Sequence, residues 1–121
     1  MSDATELSGQ EFGRAVCDRP EYAGVWVQFK TTGYPRKLRR EWDAANADAT
    51  LAIVLRYVIA WNVRDVDGAD VALPDGERPA ALMDNVDEAV IVWLIRAFAR
   101  FWLVDLTAPR PNSSAPSLTT P

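Results

Sequence analysis

Apolar residues in the middle of the chain recur at intervals of three and four positions. The spacing puts one set of them on a single face of an α-helix: Leu51, Val54, Leu55, Val58 and Ile59. Arg56 is the only charged residue from Leu51 to Trp61, so other parts of the protein should cover most sides of this helix. The pattern predicts a central helix over residues 50–61, with Asp48 as its N-cap.

The residues before the central helix predict a strand and a further helix. Alternate positions within residues 22–30 are apolar, which is the period of a half-buried strand. Gly33 suits the turn that follows, and residues 36–46 have helical spacing. Phe12 and Val16 lie four positions apart, which favours a short first helix ahead of the strand.

A chain reversal is predicted directly after the central helix. Asp67-Gly68 is a strong signal for a tight turn, and apolar residues flank it on both sides. We therefore expect a small β-hairpin centred on these two residues. The strand at residues 22–30 could then pair with this hairpin and form a small antiparallel sheet.

The last predicted helix contains most of the remaining apolar residues. Residues 78–83 predict one helical turn, and Asn85 with Glu88 three positions later fits a capping box. This capping box opens a helix that covers residues 86–103. Its polar side consists of little more than a glutamate and two arginines, so apolar side chains surround most of its circumference.

These elements predict a mainly α protein with a small antiparallel β part, an α+β fold. It has about four helices, one N-terminal strand and a hairpin around Asp67-Gly68. Residues 1–20 form an N-terminal segment and residues 21–104 a single globular domain. Residues 105–121 are rich in Pro, Ser and Thr and bury too little surface to offset the entropy of ordering, so we predict a disordered tail.

Composition excludes several classes of function and location. The formal net charge of −4 argues against nucleic-acid binding and against an anionic membrane surface, since both require a basic footprint. Cys17 is the only cysteine, which rules out an internal disulfide and suits a reducing cytosol. The polar N-terminus lacks the features of a signal peptide, and no apolar run spans a bilayer. We therefore predict a cytoplasmic protein.

The sequence contains no recognisable catalytic or metal-binding pattern. It has no histidine, which removes Ser-His-Asp and Cys-His catalysis and histidine metal ligands. Asp65, Asp67 and Asp70 do not have the spacing of a calcium loop, because Gly68 comes too early. No glycine-rich phosphate loop is present. We predict a non-enzymatic protein that needs no cofactor.

The last helix is the strongest candidate for a binding surface. A small domain should be unable to bury every apolar residue around it, so we expect some of Trp93, Phe101 and Trp102 to stay exposed. Tryptophan is enriched at the centres of protein interfaces. These residues, together with Trp61, are the predicted partner-binding site, and the helix could also mediate self-association.

Four segments in a fixed order give the chain a family resemblance. They are YAGVWVQFK, YPRKLRREWDAA, LAIVLRYVIAWNVRDVDG and VALPDGERPAAL, followed by an apolar terminal helix. The most informative part is the helix that leads into Trp61-Asn62 and then into Asp65-Val-Asp67-Gly68. In this order and in its acidity, the chain resembles the small tail assembly chaperones of long-tailed, siphovirus-like bacteriophages. The resemblance covers residues 21–104.

The resemblance implies a role in building the phage tail. Such chaperones bind the long tape-measure protein, keep its apolar segments soluble and help to recruit tail tube subunits. They act in the cytoplasm of the infected host and are usually absent from the mature virion. The family has no catalytic residues to transfer to this chain.

Two other functions remain open from the sequence. One is a structural virion component, such as a minor tail or head–tail connector protein, which would associate with itself through the last helix. The other is a small regulatory protein that binds nucleic acid through the one basic cluster, formed by Arg36, Lys37, Arg39 and Arg40.

Overall fold

The computed structural model describes residues 13–106, which form an α+β fold with one antiparallel sheet. The strands are β1 (Arg14–Val16), β2 (Trp26–Phe29) and β3 (Val58–Trp61), and the α-helices are α1 (Lys37–Ala44), α2 (Ala47–Arg56) and α3 (Glu88–Arg100). Short 3₁₀ turns lie at Pro20–Tyr22 and Ala80–Met83, and α3 continues as a π-helical turn at Phe101–Leu106. The predicted class is confirmed, whereas the numbers and positions of the elements differ in part.

The sheet has the order β1-β2-β3, with both pairs antiparallel. The predicted strand is present as β2, but it pairs with β1 and β3 rather than with a hairpin around Asp67-Gly68. The short first helix is wrong in its described part, because Arg14–Val16 is a strand; Phe12 lies outside the described residues. One i, i+4 apolar pair offers too little to nucleate a helix, whereas pairing with β2 satisfies the backbone of this segment. β1 thus lies within residues 1–20, which we had separated from the globular domain.

The central helix is shorter than its apolar pattern predicted. It ends at Arg56, and Val58–Trp61 is the strand β3, so the prediction of helix through Trp61 is wrong. The β-branched Val58 and Ile59 favour a strand, and β2 provides the pairing partner. The register shifts between Gln28 and Phe29, which leaves Ile59 unpaired and exposed. This bulge directs both Val58 and Trp61 to the face that β2 buries.

The predicted reversal at Asp67-Gly68 is present, but it is not a full hairpin. Gly68 has a φ of +84°, and an isolated antiparallel bridge joins Arg64 and Asp70. The Asp65 Oδ1 atom accepts the backbone N–H groups of Asp67 and Ala69, both at 2.9 Å. Because the side chain of Asp65 organises the turn, no extended ladder is needed to hold it.

The helix starts were predicted less accurately than the helices themselves. The helix predicted at residues 36–46 is confirmed as α1, and the last predicted helix corresponds to α3 and its π-helical extension. The cap of α2 is Asn46, not Asp48, and the cap of α3 is Asp87, not Asn85. Each true cap accepts a backbone N–H of its own first turn at 2.8 Å.

Arg78 holds the end of α2 to the start of β3. Its guanidinium donates to the carbonyl oxygens of Leu55 at 3.1 Å and Val58 at 2.5 Å, and its Nε to that of Pro74 at 2.8 Å. A single side chain therefore satisfies acceptors on both sides of the change from helix to strand.

No helix within residues 13–106 has the length and apolar character needed to cross a membrane.

An aromatic cluster centred on Phe98 forms the middle of the core. The Phe98 ring is fully buried. Five other rings surround it at centroid distances of 5.2–6.1 Å: Phe29, Tyr34, Trp42, Tyr57 and Trp102. These rings come from β2, two loops, α1 and the π-helical turn, so one side chain of α3 contacts most parts of the fold.

We expect Phe98→Ala to lower the free energy of unfolding by about 3–5 kcal/mol, because it removes a buried ring that the surrounding rings cannot replace. Val104→Ala is the control, since Val104 is exposed six residues later and its replacement should change stability by less than about 0.5 kcal/mol. Urea unfolding followed by tryptophan fluorescence measures both. Similar losses in the two variants would contradict the central role of Phe98.

A second prediction concerns the start of α3 at low pH. Asp87 accepts hydrogen bonds from the Tyr22 hydroxyl and from the Ala89 N–H, and these lower the pKa of its carboxyl, with the Tyr22 bond as the larger cause. A lowered pKa in the folded state stabilises the fold above the unfolded pKa of about 3.9, and the effect disappears as pH falls through the folded pKa.

We therefore expect Tyr22→Phe to reduce stability most at neutral pH and progressively less below about pH 4. Urea unfolding of both proteins between pH 7 and pH 2 measures the difference. A difference that stays constant over this range would show that the Tyr22–Asp87 bond does not stabilise the carboxylate.

Candidate protein-binding groove

The structure buries Trp102, one of the three aromatic residues of which some are predicted to stay exposed. Only 6% of this residue is accessible, and its ring lies 5.5 Å from Trp42 and 5.7 Å from Phe98. The Arg39 guanidinium lies 5.7 Å from the same ring. Trp102 follows Phe98 by four residues and so faces the same side, which α1 covers. It is a core residue and therefore not one of those that stay exposed.

Trp93 and Phe101 lie nearer to the surface than Trp102. Trp93 belongs to the buried core, with 9% of the residue exposed. Phe101 is half-buried and stacks on Phe29 at 5.7 Å. Both residues nevertheless line the same surface groove, so two of the four predicted site residues come together.

Trp61 lies elsewhere and has a structural contact of its own. Its side chain is half-buried on β3, and its Nε1 donates to the Val71 carbonyl oxygen at 2.7 Å. This bond holds the segment after the Asp67-Gly68 turn against the sheet. Trp61 does not line the groove that Trp93 and Phe101 share.

The groove lies between β1 and α3 and has a volume of about 660 Å³. The β1 side consists of residues 13–16 with Asp18 and Arg19. The opposite side is formed by one face of α3 and the turn after it: Ala89, Val92, Trp93, Arg96, Ala97, Arg100, Phe101 and Asp105. The alanines and the valine on this face are small, which leaves room beside the strand.

At one end of the groove, Gly13 allows the backbone to lie close to Phe29 and to the ring of Phe101. Its φ is +81°, and a Cβ at this position would lie 2.9 Å from the Phe29 carbonyl oxygen and 3.0 Å from the Phe101 Cζ. A side chain would therefore clash with the backbone of β2 and with the ring that closes the groove. Nothing in the spacing of residues around Gly13 indicated this constraint.

The groove is basic, although the whole chain is acidic. Four arginines and two aspartates line it: Arg14, Arg19, Arg96, Arg100, Asp18 and Asp105. Within the described part of the chain, Arg19 pairs with Glu21 at 3.7 Å, and Arg96 and Arg100 form no ion pair. Arg14 lies 4.1 Å from the centre of the Trp26 ring. The groove can therefore attract acidic groups while presenting aromatic and aliphatic edges.

Sequence reasoning missed the arginines of the groove. Arg96 and Arg100 are four residues apart on the last helix, so the sequence showed that they share a face. It could not show that β1 runs beside that face, because β1 was predicted as a helix. The predicted basic cluster on α1 is exposed but lies outside the groove.

The acidic turn and the cysteine show no sign of a chemical site. Hydrogen bonds from the backbone, with Ala69 as the largest contributor, lower the pKa of Asp65. Asp67 accepts a hydrogen bond from the Asn85 side chain at 3.0 Å. Cys17 is buried in the core. No three His, Cys, Asp or Glu side chains among residues 13–106 are grouped so that they could hold a metal ion.

Comparison of the chain with protein-family models, with curated proteins and with solved structures finds no match. The groove therefore has to be interpreted from its own residues. It combines a strand edge, small aliphatic side chains and aromatic edges with Arg96 and Arg100, which form no ion pair within the described residues. Polypeptide recognition uses each of these kinds of contact.

We expect Gly13→Ala to destabilise the fold more than Gly33→Ala. Both glycines have positive φ, which costs alanine about 1–2 kcal/mol, but Gly33 has open space around it. The clash at Gly13 should add about 1–3 kcal/mol. Thermal unfolding of both variants measures the difference, and equal losses would mean that the chain next to Phe101 is not closely packed.

Proposed function

We propose that this protein is a non-enzymatic tail assembly chaperone of a long-tailed bacteriophage. It binds the tape-measure protein and helps to recruit tail tube subunits while the tail is built. The proposal combines one structural observation, the groove between β1 and α3, with the family resemblance of residues 21–104, in which a strand and not a helix leads into Trp61-Asn62. Trp93 and Phe101 remain in the proposed binding site, whereas Trp61 and Trp102 serve the fold.

The properties of the groove suit transient contact with a client. A chaperone must hold apolar segments without enclosing them, and the groove is open and only partly apolar. Its arginines add electrostatic attraction, which speeds association and depends on salt. The net charge of −4 keeps the chaperone itself soluble. On this proposal, it acts in the cytoplasm of the infected host and is absent from the mature virion.

The alternative of a structural virion component has less support. It relies on self-association through the last helix, and the structure buries two of the three aromatic residues available there, Trp93 and Trp102. Among the described residues, Val104 is the only large apolar side chain of α3 and its extension classed as exposed. The regulatory alternative still rests on the basic cluster of α1 alone.

The proposal is tested by capturing the client from cells. The tagged full-length protein is co-expressed with the genes that neighbour its own, and captured proteins are identified by mass spectrometry. We expect a very long helical protein, together with tail tube subunits. Recovery of the protein only as a defined oligomer of itself, or its presence in purified virions, would contradict the chaperone proposal.

Charge reversal in the groove provides a matched pair of variants for the same experiment. The Arg96→Glu/Arg100→Glu protein should capture about tenfold less client, equivalent to roughly 1.4 kcal/mol. The Arg36→Glu/Arg40→Glu protein has the same change in net charge on α1 and should capture as much as the original. If both variants lost the same amount of captured client, the loss would be due to net charge alone, and the groove would not be the binding site.

A further inference from the structure

β1 is an edge strand whose outer backbone groups are open in the described part of the chain. Its residues pair only with β2 among residues 13–106. Phe29 N donates to the Gly13 carbonyl oxygen at 3.0 Å, and Cys17 N donates to the Val25 carbonyl oxygen at 2.8 Å. In an antiparallel pair, hydrogen-bonded and non-hydrogen-bonded positions alternate. The backbone N–H and C=O groups of residues 13, 15 and 17 therefore point toward β2. The backbone groups of Arg14 and Val16 point away from it.

The open edge of β1 borders the groove. Arg14 and Val16 line it on one side, and the small residues Ala89, Val92 and Ala97 of α3 line it on the other. An exposed edge is a template for a further strand, which would lie about 4.8 Å from β1. An extended segment in this position would be held by the strand on one side and by α3 on the other.

The charges of the groove specify the chemistry of that segment. Side chains of an added strand would alternate between two faces. One set would face α3, where Arg96 and Arg100 are exposed and form no ion pair within the described residues. The other set would lie on the outer face of the sheet beside Val16, which is 61% exposed, and beside Arg14, whose guanidinium already lies over the Trp26 ring. A sequence that alternates acidic and apolar residues satisfies both faces.

We propose that the groove binds an extended acidic segment of a partner protein, which adds to β1 as a fourth strand. The inference deepens the proposed function by giving the form of the bound client segment, and it rests on that function for the identity of the partner. It differs from binding of a helix in the groove, because it uses the backbone N–H and C=O groups of Arg14 and Val16.

Val16→Pro tests the role of the backbone. Proline removes the outward N–H of residue 16 without removing a bond between β1 and β2, and proline is tolerated on edge strands. Val16→Ala is the control, because it removes the same apolar side chain but keeps the N–H. Thermal unfolding of both variants checks that each remains folded.

The probe is a library of random 12-residue peptides displayed on phage and selected on the full-length protein. We expect the selected peptides to alternate acidic and apolar residues. Measured by fluorescence polarisation, their affinity should fall at least about tenfold for Val16→Pro and by less than about threefold for Val16→Ala. Hydrogen exchange of the Arg14 and Val16 amides should slow when a peptide binds.

Several outcomes would overturn the inference. Selected peptides with helical i, i+4 spacing would place a helix in the groove, and equal affinity for the two Val16 variants would exclude backbone pairing. Failure to select any peptide would mean that the edge does not accept a partner segment. A dimer in ultracentrifugation that Val16→Pro abolishes would mean that a second copy of the chain, and not another protein, occupies the edge. If acidic peptides bind but no tape-measure protein is captured, the proposed function fails and the strand-addition site stands.

Discussion

The packing of aromatic rings around Phe98 is the interaction on which the other parts of this fold depend. Phe98 is fully buried, and the rings that contact it come from the sheet, from α1, from the loops and from the end of α3. A domain of this size buries a limited area, so a few large side chains contribute much of the stabilisation. The same packing explains why Trp102 is inside, since it shares the covered side of α3.

The polar contacts of the fold act where the chain changes direction. Arg78 bonds to the carbonyl groups at the end of α2, Asn46 and Asp87 cap helices, and Asp65 closes the acidic turn. Asn62 accepts from Trp26 N and donates to the Gly24 carbonyl oxygen, which fixes the start of β2 beside β3. Each contact satisfies backbone groups that regular structure leaves without partners.

The groove follows from this architecture. Burial of one side of α3 against the aromatic cluster turns its other side, with Arg96 and Arg100, toward the edge strand. β1 contributes only three residues, and its outer edge stays open within the described part of the chain. The arginines beside this edge oppose edge-to-edge pairing of two copies through like-charge repulsion and, on the proposal made above, attract an acidic partner segment.

The sequence by itself determined the α+β class, α1, the last helix, β2 and the turn at Asp67-Gly68, because local periodicity and turn chemistry specify them. Tertiary structure decided the rest. Residues 58–61 have apolar spacing that fits a helix, and only pairing with β2 makes them a strand. The burial of Trp102 and the approach of β1 to Arg96 depend on contacts between residues far apart in the chain, which no local pattern contains.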